Sequence, residues 1–119
     1  MIEITIPLAP RLADCFANYQ GRKKTHKYKS WIMTAGLELN IQRRSFITKL
    51  PLAHPVFIHM ILPTRVGRDL DNRFKASLDL LVSHDVIEDD SWPHVAAIQA
   101  SYDPRVDKKL EILQIFDYQ

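Results

Sequence analysis

The chain has 119 residues, a size that suits one domain with a core of its own. Its single cysteine excludes an internal disulfide and suits a reducing compartment. No apolar stretch approaches the ~20 residues of a membrane-spanning helix, and the N-terminus lacks the basic start and apolar run of a signal peptide. We therefore expect a soluble, cytoplasmic protein with no membrane contact.

Charge is distributed unevenly, although the formal net charge is only +2. Residues 1–50 contain nine Lys or Arg against three Asp or Glu, whereas residues 51–119 contain seven against eleven. Residues 22–29, RKKTHKYK, place five fixed positive charges within eight positions. Such a run is typical of a solvated loop, but it also suits contact with a polyanion. Tyr28 within the run and the nearby Trp31 are available for packing or stacking.

The N-terminal half predicts one strand, one loop and one helix. Alternation of isoleucine with polar residues predicts a strand at residues 2–7, followed by a mobile basic loop to about residue 28. Apolar residues at helical spacing predict a helix that begins at Lys29 or Ser30 and runs to about Leu50, with Gly36 weakening its centre. A largely buried strand is predicted at residues 56–62.

The C-terminal half predicts a second helix and two more strands. Asp69 stands where a helix N-cap would be, and an inward-facing apolar stripe follows at Leu70, Phe74, Leu78 and Leu81. The helix is expected to stop before Ile87, and His84 at its end would carry a charge that suits the helix dipole. Strands near 94–102 and 109–116 flank a turn and are predicted to form a hairpin. We expect one α+β domain over residues 1–119: a mixed sheet of about four strands with two main helices packed on it.

Clustered carboxylates beside a lysine are the most informative feature of the sequence. Residues 68–75 read RDLDNRFK, and Glu88-Asp89-Asp90 follow the predicted helix. Carboxylates held together repel unless a cation neutralises them, and Mg²⁺ suits an all-oxygen set. Asp71 and Lys75 are four positions apart and share a helix face. A chain that turns back after the helix could bring Asp89 or Asp90 beside Asp69 and Asp71.

The spacing alone also fits a structural interpretation. In that interpretation Asp69 is only a helix cap, and the Asp71–Lys75 pair is a surface ion pair worth ~0.3 kcal/mol. Asp89 and Asp90 would then be solvated loop residues.

Residues 65 to about 95 resemble the signature of the RusA family of Holliday junction resolvases. The family pattern is Asp-x-Asp-Asn, a lysine three residues after the asparagine, an Asp-x-Leu on the same helix and an Asp-Asp pair after it. These elements occur here in order, at Asp69, Asp71, Asn72, Lys75, Asp79, Leu81, Asp89 and Asp90. The N-terminal half departs from the family, because Pro7-Leu8-Ala9-Pro10-Arg11 stands where members commonly have a Pro-Pro-Ser-x-Asn-like turn.

The resemblance implies a homodimeric, Mg²⁺-dependent endodeoxyribonuclease that resolves four-way DNA junctions by paired symmetric nicks in recombination and repair, without an organic cofactor. It implies that the catalytic residues are Asp69, Asp71, Lys75 and Asp90, and that the metal ligands are the three aspartates. The basic residues expected to bind DNA are Arg22, Lys23, Lys24, Lys27, Lys29, Arg68 and Arg73.

Two alternatives stay open from the sequence. In the first, the chain is a non-catalytic nucleic-acid-binding module whose carboxylates only cap and solubilise the motif helix. In the second, a metal nuclease acts on other branched substrates, such as flaps, forks or structured RNA, because a fold does not fix specificity.

Overall fold

The computed structural model describes residues 1–17, 23–53, 55–64 and 74–118. In chain order the elements are β1 (Ile2–Pro7), α1 (Leu12–Cys15), α2 (His26–Gln42), a 3-10 helix (Arg43–Lys49), β2 (Val56–Leu62), α3 (Phe74–Ser83), β3 (Val95–Tyr102) and β4 (Leu110–Asp117). The four predicted strands are confirmed to within one residue at each end. The α+β class is confirmed as well, with α2 and α3 as the two substantial helices.

The four strands form one mixed sheet in the order β1-β4-β2-β3. β4 is antiparallel to both β1 and β2, whereas β2 and β3 run parallel. The predicted hairpin of the last two strands is therefore wrong, because β3 and β4 lie on opposite sides of β2. The burial pattern gives the reason: β4 buries every second side chain, while only Val95 of β3 is fully buried. The more apolar strand takes the central position and the alanine-rich one takes the edge.

The core lies on the face of the sheet that α2 and α3 cover. Alternate strand residues point into it, and Ile4, Leu113 and Met60 form one fully buried rung across three strands. Trp31 and Leu39 of α2, together with Leu81 of α3, belong to the same cluster. Cys15 is also in this cluster, and burial raises the pKa of its thiol.

Helix α2 begins earlier than the sequence predicted. Thr25 is its N-cap, since its hydroxyl accepts a hydrogen bond from the backbone N–H of Tyr28 at 3.1 Å and donates one to the Asp14 carbonyl at 2.6 Å. The first turn therefore contains part of the basic run, which was expected to be loop. The α-helix ends at Gln42, and the chain continues as the 3-10 helix to Lys49.

The outer edge of β1 is closed by side chains of α2. The Gln42 side-chain amide pairs with the Thr5 backbone: its oxygen accepts from the Thr5 N–H at 2.8 Å, and its nitrogen donates to the Thr5 carbonyl at 2.6 Å. The Trp31 indole donates to the Pro7 carbonyl at 2.9 Å. An exposed strand edge is a template for pairing with another chain. These side chains occupy that template on β1.

Helix α3 ends as expected, before Ile87. Asp85 has φ of 59°, the left-handed conformation that commonly terminates helices, and the next N–H, of Val86, bonds to the Leu81 carbonyl at 2.9 Å. Val86 and Ile87 then enter the core. The predicted cap at Asp69, like Leu70, lies outside the described residues. No helix in the described ranges is long and apolar enough to cross a membrane.

Candidate active site

Lys75 lies in the first described turn of α3, and its ammonium group lies between two carboxylates. Its ammonium nitrogen is 3.1 Å from Oδ1 of Asp79, one helical turn further on, and 3.7 Å from Oδ2 of Asp90. The three side chains are partly exposed, at 54, 39 and 29% for Lys75, Asp79 and Asp90. They form a small charged cluster on the surface, which we call the Lys75 cluster.

The cluster keeps Lys75 positively charged. The Asp79 carboxylate raises the pKa of the lysine above its usual value through its hydrogen bond and its charge, and Asp90 adds to this. A lysine with a raised pKa is a poor general base, because it holds its proton at neutral pH. It is suited instead to stabilising negative charge on a neighbouring phosphate.

Backbone contacts in the loop before β3 hold Asp90 at the cluster. The Ser91 carbonyl accepts hydrogen bonds from the N–H groups of His94 at 2.8 Å and Val95 at 3.1 Å, which fixes the chain as it enters β3. Asp89 turns the other way: its carboxylate accepts from the Asp90 N–H at 2.9 Å and from the Ser91 hydroxyl. The two aspartates therefore differ, since Asp90 contacts Lys75 and Asp89 is used within the loop.

The described residues account for part of the predicted site. The loop after α3 brings Asp90 to Lys75 on the helix, whereas the expected approach of a loop aspartate to Asp69 and Asp71 falls on residues that the structure does not describe. Asp69 and Asp71 lie outside the described residues, as do Arg68 and Arg73. Within the described ranges, no three His, Cys, Asp or Glu side chains are grouped so that they could hold a metal ion.

The basic run forms an exposed surface at the start of α2. Lys23, Lys24, Lys27 and Lys29 are all exposed, whereas Arg22 lies outside the described residues. Lys27 pairs with Asp14 at 3.7 Å, and this charge together with the closer Arg11 guanidinium lowers the pKa of the Asp14 carboxyl. Tyr28 of the run and the nearby Trp31 serve packing, because they are only 3 and 8% exposed.

Sequence reasoning missed a buried carboxylate that connects α3 to the sheet. Glu111 is fully buried, and its two oxygens accept hydrogen bonds from the Ala9 N–H at 2.7 Å and the Ser77 hydroxyl at 2.9 Å. Ser77 is two residues from Lys75 on α3, so Glu111 helps to set the position of that helix. A signal was present, since Glu111 shares the inward parity of Leu113 and Ile115 on β4.

His84 lies at the end of α3 but does not carry the charge expected there. Burial lowers the pKa of its imidazole, and the nearby Arg43 charge adds to the effect. Its Nδ1 is 2.9 Å from Oδ1 of Asn40. A Cβ at position 36 would lie 2.9 Å from its Nε2, so Gly36 gives the ring the space to pack on α2.

The described geometry thus places the Lys75 ammonium between two surface carboxylates, and four exposed lysines lie at or just before the start of α2. The exposed lysines suit contact with a polyanion. No protein-family model matches the chain, and no curated protein matches it.

Proposed function

We propose that this chain is a Mg²⁺-dependent structure-specific endodeoxyribonuclease that resolves four-way DNA junctions by paired symmetric nicks. The observation that carries the proposal is the contact of Lys75 with Asp90 across the loop that follows α3. A lysine and an aspartate fifteen positions apart are brought together on the surface, in the segment that resembles the RusA signature.

The donor set suits magnesium. Asp90 is a partly exposed carboxylate held in place by its loop, and Mg²⁺ takes oxygen ligands while keeping positions for water and phosphate. Asp69 and Asp71 are the other two ligands in this proposal. When bound, magnesium would polarise the scissile phosphate and lower the pKa of a coordinated water.

Lys75 has a separate role in the proposed reaction. Because its pKa is raised, it remains an ammonium ion at neutral pH and can offset negative charge on the phosphate or on the leaving 3′ oxygen. Asp79 orients the ammonium group from one helical turn away. It acts in this way as a positioning residue for the lysine.

The exposed lysines at the start of α2 provide the proposed DNA grip. Each phosphate that they neutralise releases counterions, so binding should weaken steeply with salt. Lys24 and Lys29 form no ion pair with a described residue, whereas Lys27 forms one with Asp14. Such contacts add affinity with little sequence information.

We further propose that two copies of the chain pair through α2. Met33, Leu37 and Ile41 recur every fourth residue along this helix and are 70, 63 and 60% exposed. Exposed apolar stripes of this kind commonly mark interfaces. The closed edge of β1 argues against pairing through that strand. A two-fold axis through the Leu37 stripe would give two identical sites for the two strands of a junction.

The proposal is tested by incubating the protein with a synthetic four-way junction, a linear duplex, a flap and a fork, in Mg²⁺ or in EDTA. We expect paired nicks in the junction alone, dependent on Mg²⁺ and absent in Asp71→Asn. Junction binding without cuts by either protein would replace this function by a binding module. Faster cleavage of flaps or forks would keep the nuclease and change its substrate.

A further inference from the structure

A groove of about 370 Å³ lies between α2 and α3, next to the Lys75 cluster. Its walls are mainly apolar, with Phe16 and Ile32 on one side and Leu80 and Val82 on the other. Asp79 also lines it, and the same carboxylate forms the ion pair with Lys75. The groove therefore opens beside the position proposed for the scissile phosphate.

Packed aromatic rings line part of the groove. Tyr28 is almost fully buried there, with its ring centroid 5.7 Å from that of Phe16 and 6.2 Å from that of Trp31. Lys24, at the rim, places its ammonium nitrogen 5.8 Å from the centre of the Tyr28 ring. The site thus has an apolar interior, a cation at one position on its lining and a carboxylate at another.

We infer that this groove binds one unstacked nucleobase of the DNA strand whose phosphate contacts the Lys75 cluster. The inference rests on the proposed function and names the part of the substrate that lies beside the cleavage position. A nucleotide of adenine, guanine or cytosine has apolar base faces, an amino group on the base edge and a phosphate on the sugar. These features match the apolar walls, the Asp79 carboxylate and the Lys24 ammonium respectively. The volume lies within the range of about 300–1,000 Å³ typical of small-molecule sites.

The position of the groove would make it useful at a junction. Bases at a branch point unstack more readily than bases inside a duplex, and an apolar slot can hold one such base by its faces. Capture of the base, with its own phosphate at Lys24, would fix the position of a neighbouring phosphate of the same strand at Lys75. The captured nucleotide would then contribute to substrate specificity without any contact between the protein and the major or minor groove of duplex DNA.

The test is an NMR titration of the full chain in EDTA with deoxyadenosine 5′-monophosphate, compared with deoxyribose 5-phosphate. We expect the nucleotide to shift the backbone amides of Ile32 and Val82 and to bind more tightly than the sugar phosphate. Val82→Phe, which fills the groove, should weaken nucleotide binding by about 5-fold or more, the scale of one lost base-stacking contact. Ile32→Phe fills the groove from the opposite wall and replaces Val82→Phe in the titration if that variant does not fold.

A matched control is Lys108→Gln, which removes an exposed charge from the turn between β3 and β4, outside the groove, and should keep the difference between the two ligands. Equal affinity for both ligands, or a difference that survives in both filled variants, would overturn the inference. Because no metal or junction is present, the result is independent of cleavage. Base-dependent binding by a protein that cuts no junction would remove the proposed nuclease alone, and junction cleavage without base-dependent binding would remove the groove alone.

Discussion

The hydrogen bonds between Gln42 and the edge of β1 allow a quantitative prediction. Gln42→Ala removes the bonds to the Thr5 N–H and carbonyl, at 2.8 and 2.6 Å. At a net value of about 1 kcal/mol per hydrogen bond, the free energy of unfolding should fall by about 2 kcal/mol. For 119 residues, about 2.1 cal/mol/K of unfolding entropy per residue turns that loss into a decrease in Tm of about 8 °C.

The assay is thermal and urea unfolding of the wild type, Gln42→Ala and the matched variant Gln99→Ala. Gln99 is an exposed residue of β3, and its replacement should change the free energy of unfolding by no more than about 0.5 kcal/mol. We also expect Gln42→Ala to aggregate more readily, because the edge of β1 becomes available for pairing. A loss for Gln42→Ala no larger than that for Gln99→Ala would refute the reasoning that this amide stabilises the edge.

Three further predictions concern a titrating group, a buried carboxylate and the proposed interface. Burial favours the neutral imidazole of His84, so the pKa of this group in the folded protein is below the usual 6.5. The contribution of His84 to stability is therefore present above pH 6.5 and is lost as the pH falls through the folded pKa. The urea midpoint should fall less between pH 7.5 and 5 in His84→Gln than in the wild type, and equal falls would contradict this. Ser77→Ala should cost about 1–3 kcal/mol because it removes a donor from buried Glu111, and a urea midpoint equal to that of the wild type would show that the bond contributes nothing. By light scattering, Leu37→Lys should convert a dimer to a monomer, while Glu38→Lys should not. A dimer that persists in both variants would exclude the exposed Met33, Leu37 and Ile41 side chains of α2 as the dimer interface.

The extent of each strand could be predicted because its signal, an apolar run or an alternation of apolar and polar residues, is local. In β2, for instance, the signal was the apolar run from Val56 to Leu62, of which the structure buries every second residue. Which strands pair depends instead on competition among distant segments, and so the hairpin prediction failed. Local chain order favoured β3 beside β4, but the more apolar β4 occupies the centre of the sheet and β2 separates the two.

The start of α2 shows a different limit. The run of lysines indicated a solvated loop, yet Thr25 caps the helix directly ahead of the run's last four residues. Thr25, a residue type that commonly caps helices, was present in the sequence, but the prediction gave more weight to the charge of the lysines around it. Lysine has good helix propensity, and a charged turn can remain exposed on one side of a helix that is buried on the other.

The residue types of the candidate site could be predicted from the sequence. Which of the two neighbouring aspartates contacts Lys75 could not be predicted from spacing. The spacing alone offered Asp89 and Asp90 as equivalent candidates, because both follow the helix and both are carboxylates, and only the resemblance to the RusA signature favoured Asp90. Their difference comes from the loop, in which the Ser91 hydroxyl and the Asp90 N–H engage Asp89. Glu111 escaped notice for the opposite reason, since a single acidic residue on an apolar strand suggested no chemistry.

The most direct test of the account compares Asp89→Asn with Asp90→Asn in Mg²⁺-dependent cleavage of a four-way junction. The two variants make the same chemical change at adjacent positions, so each is the control for the other. We expect Asp90→Asn to reduce the cleavage rate by about 100-fold or more, on the scale of losing one electrostatic contact to the reacting group, and Asp89→Asn to retain most of the activity. Retained cleavage in Asp90→Asn, or an equal loss in both variants, would contradict a site built on Lys75 and Asp90.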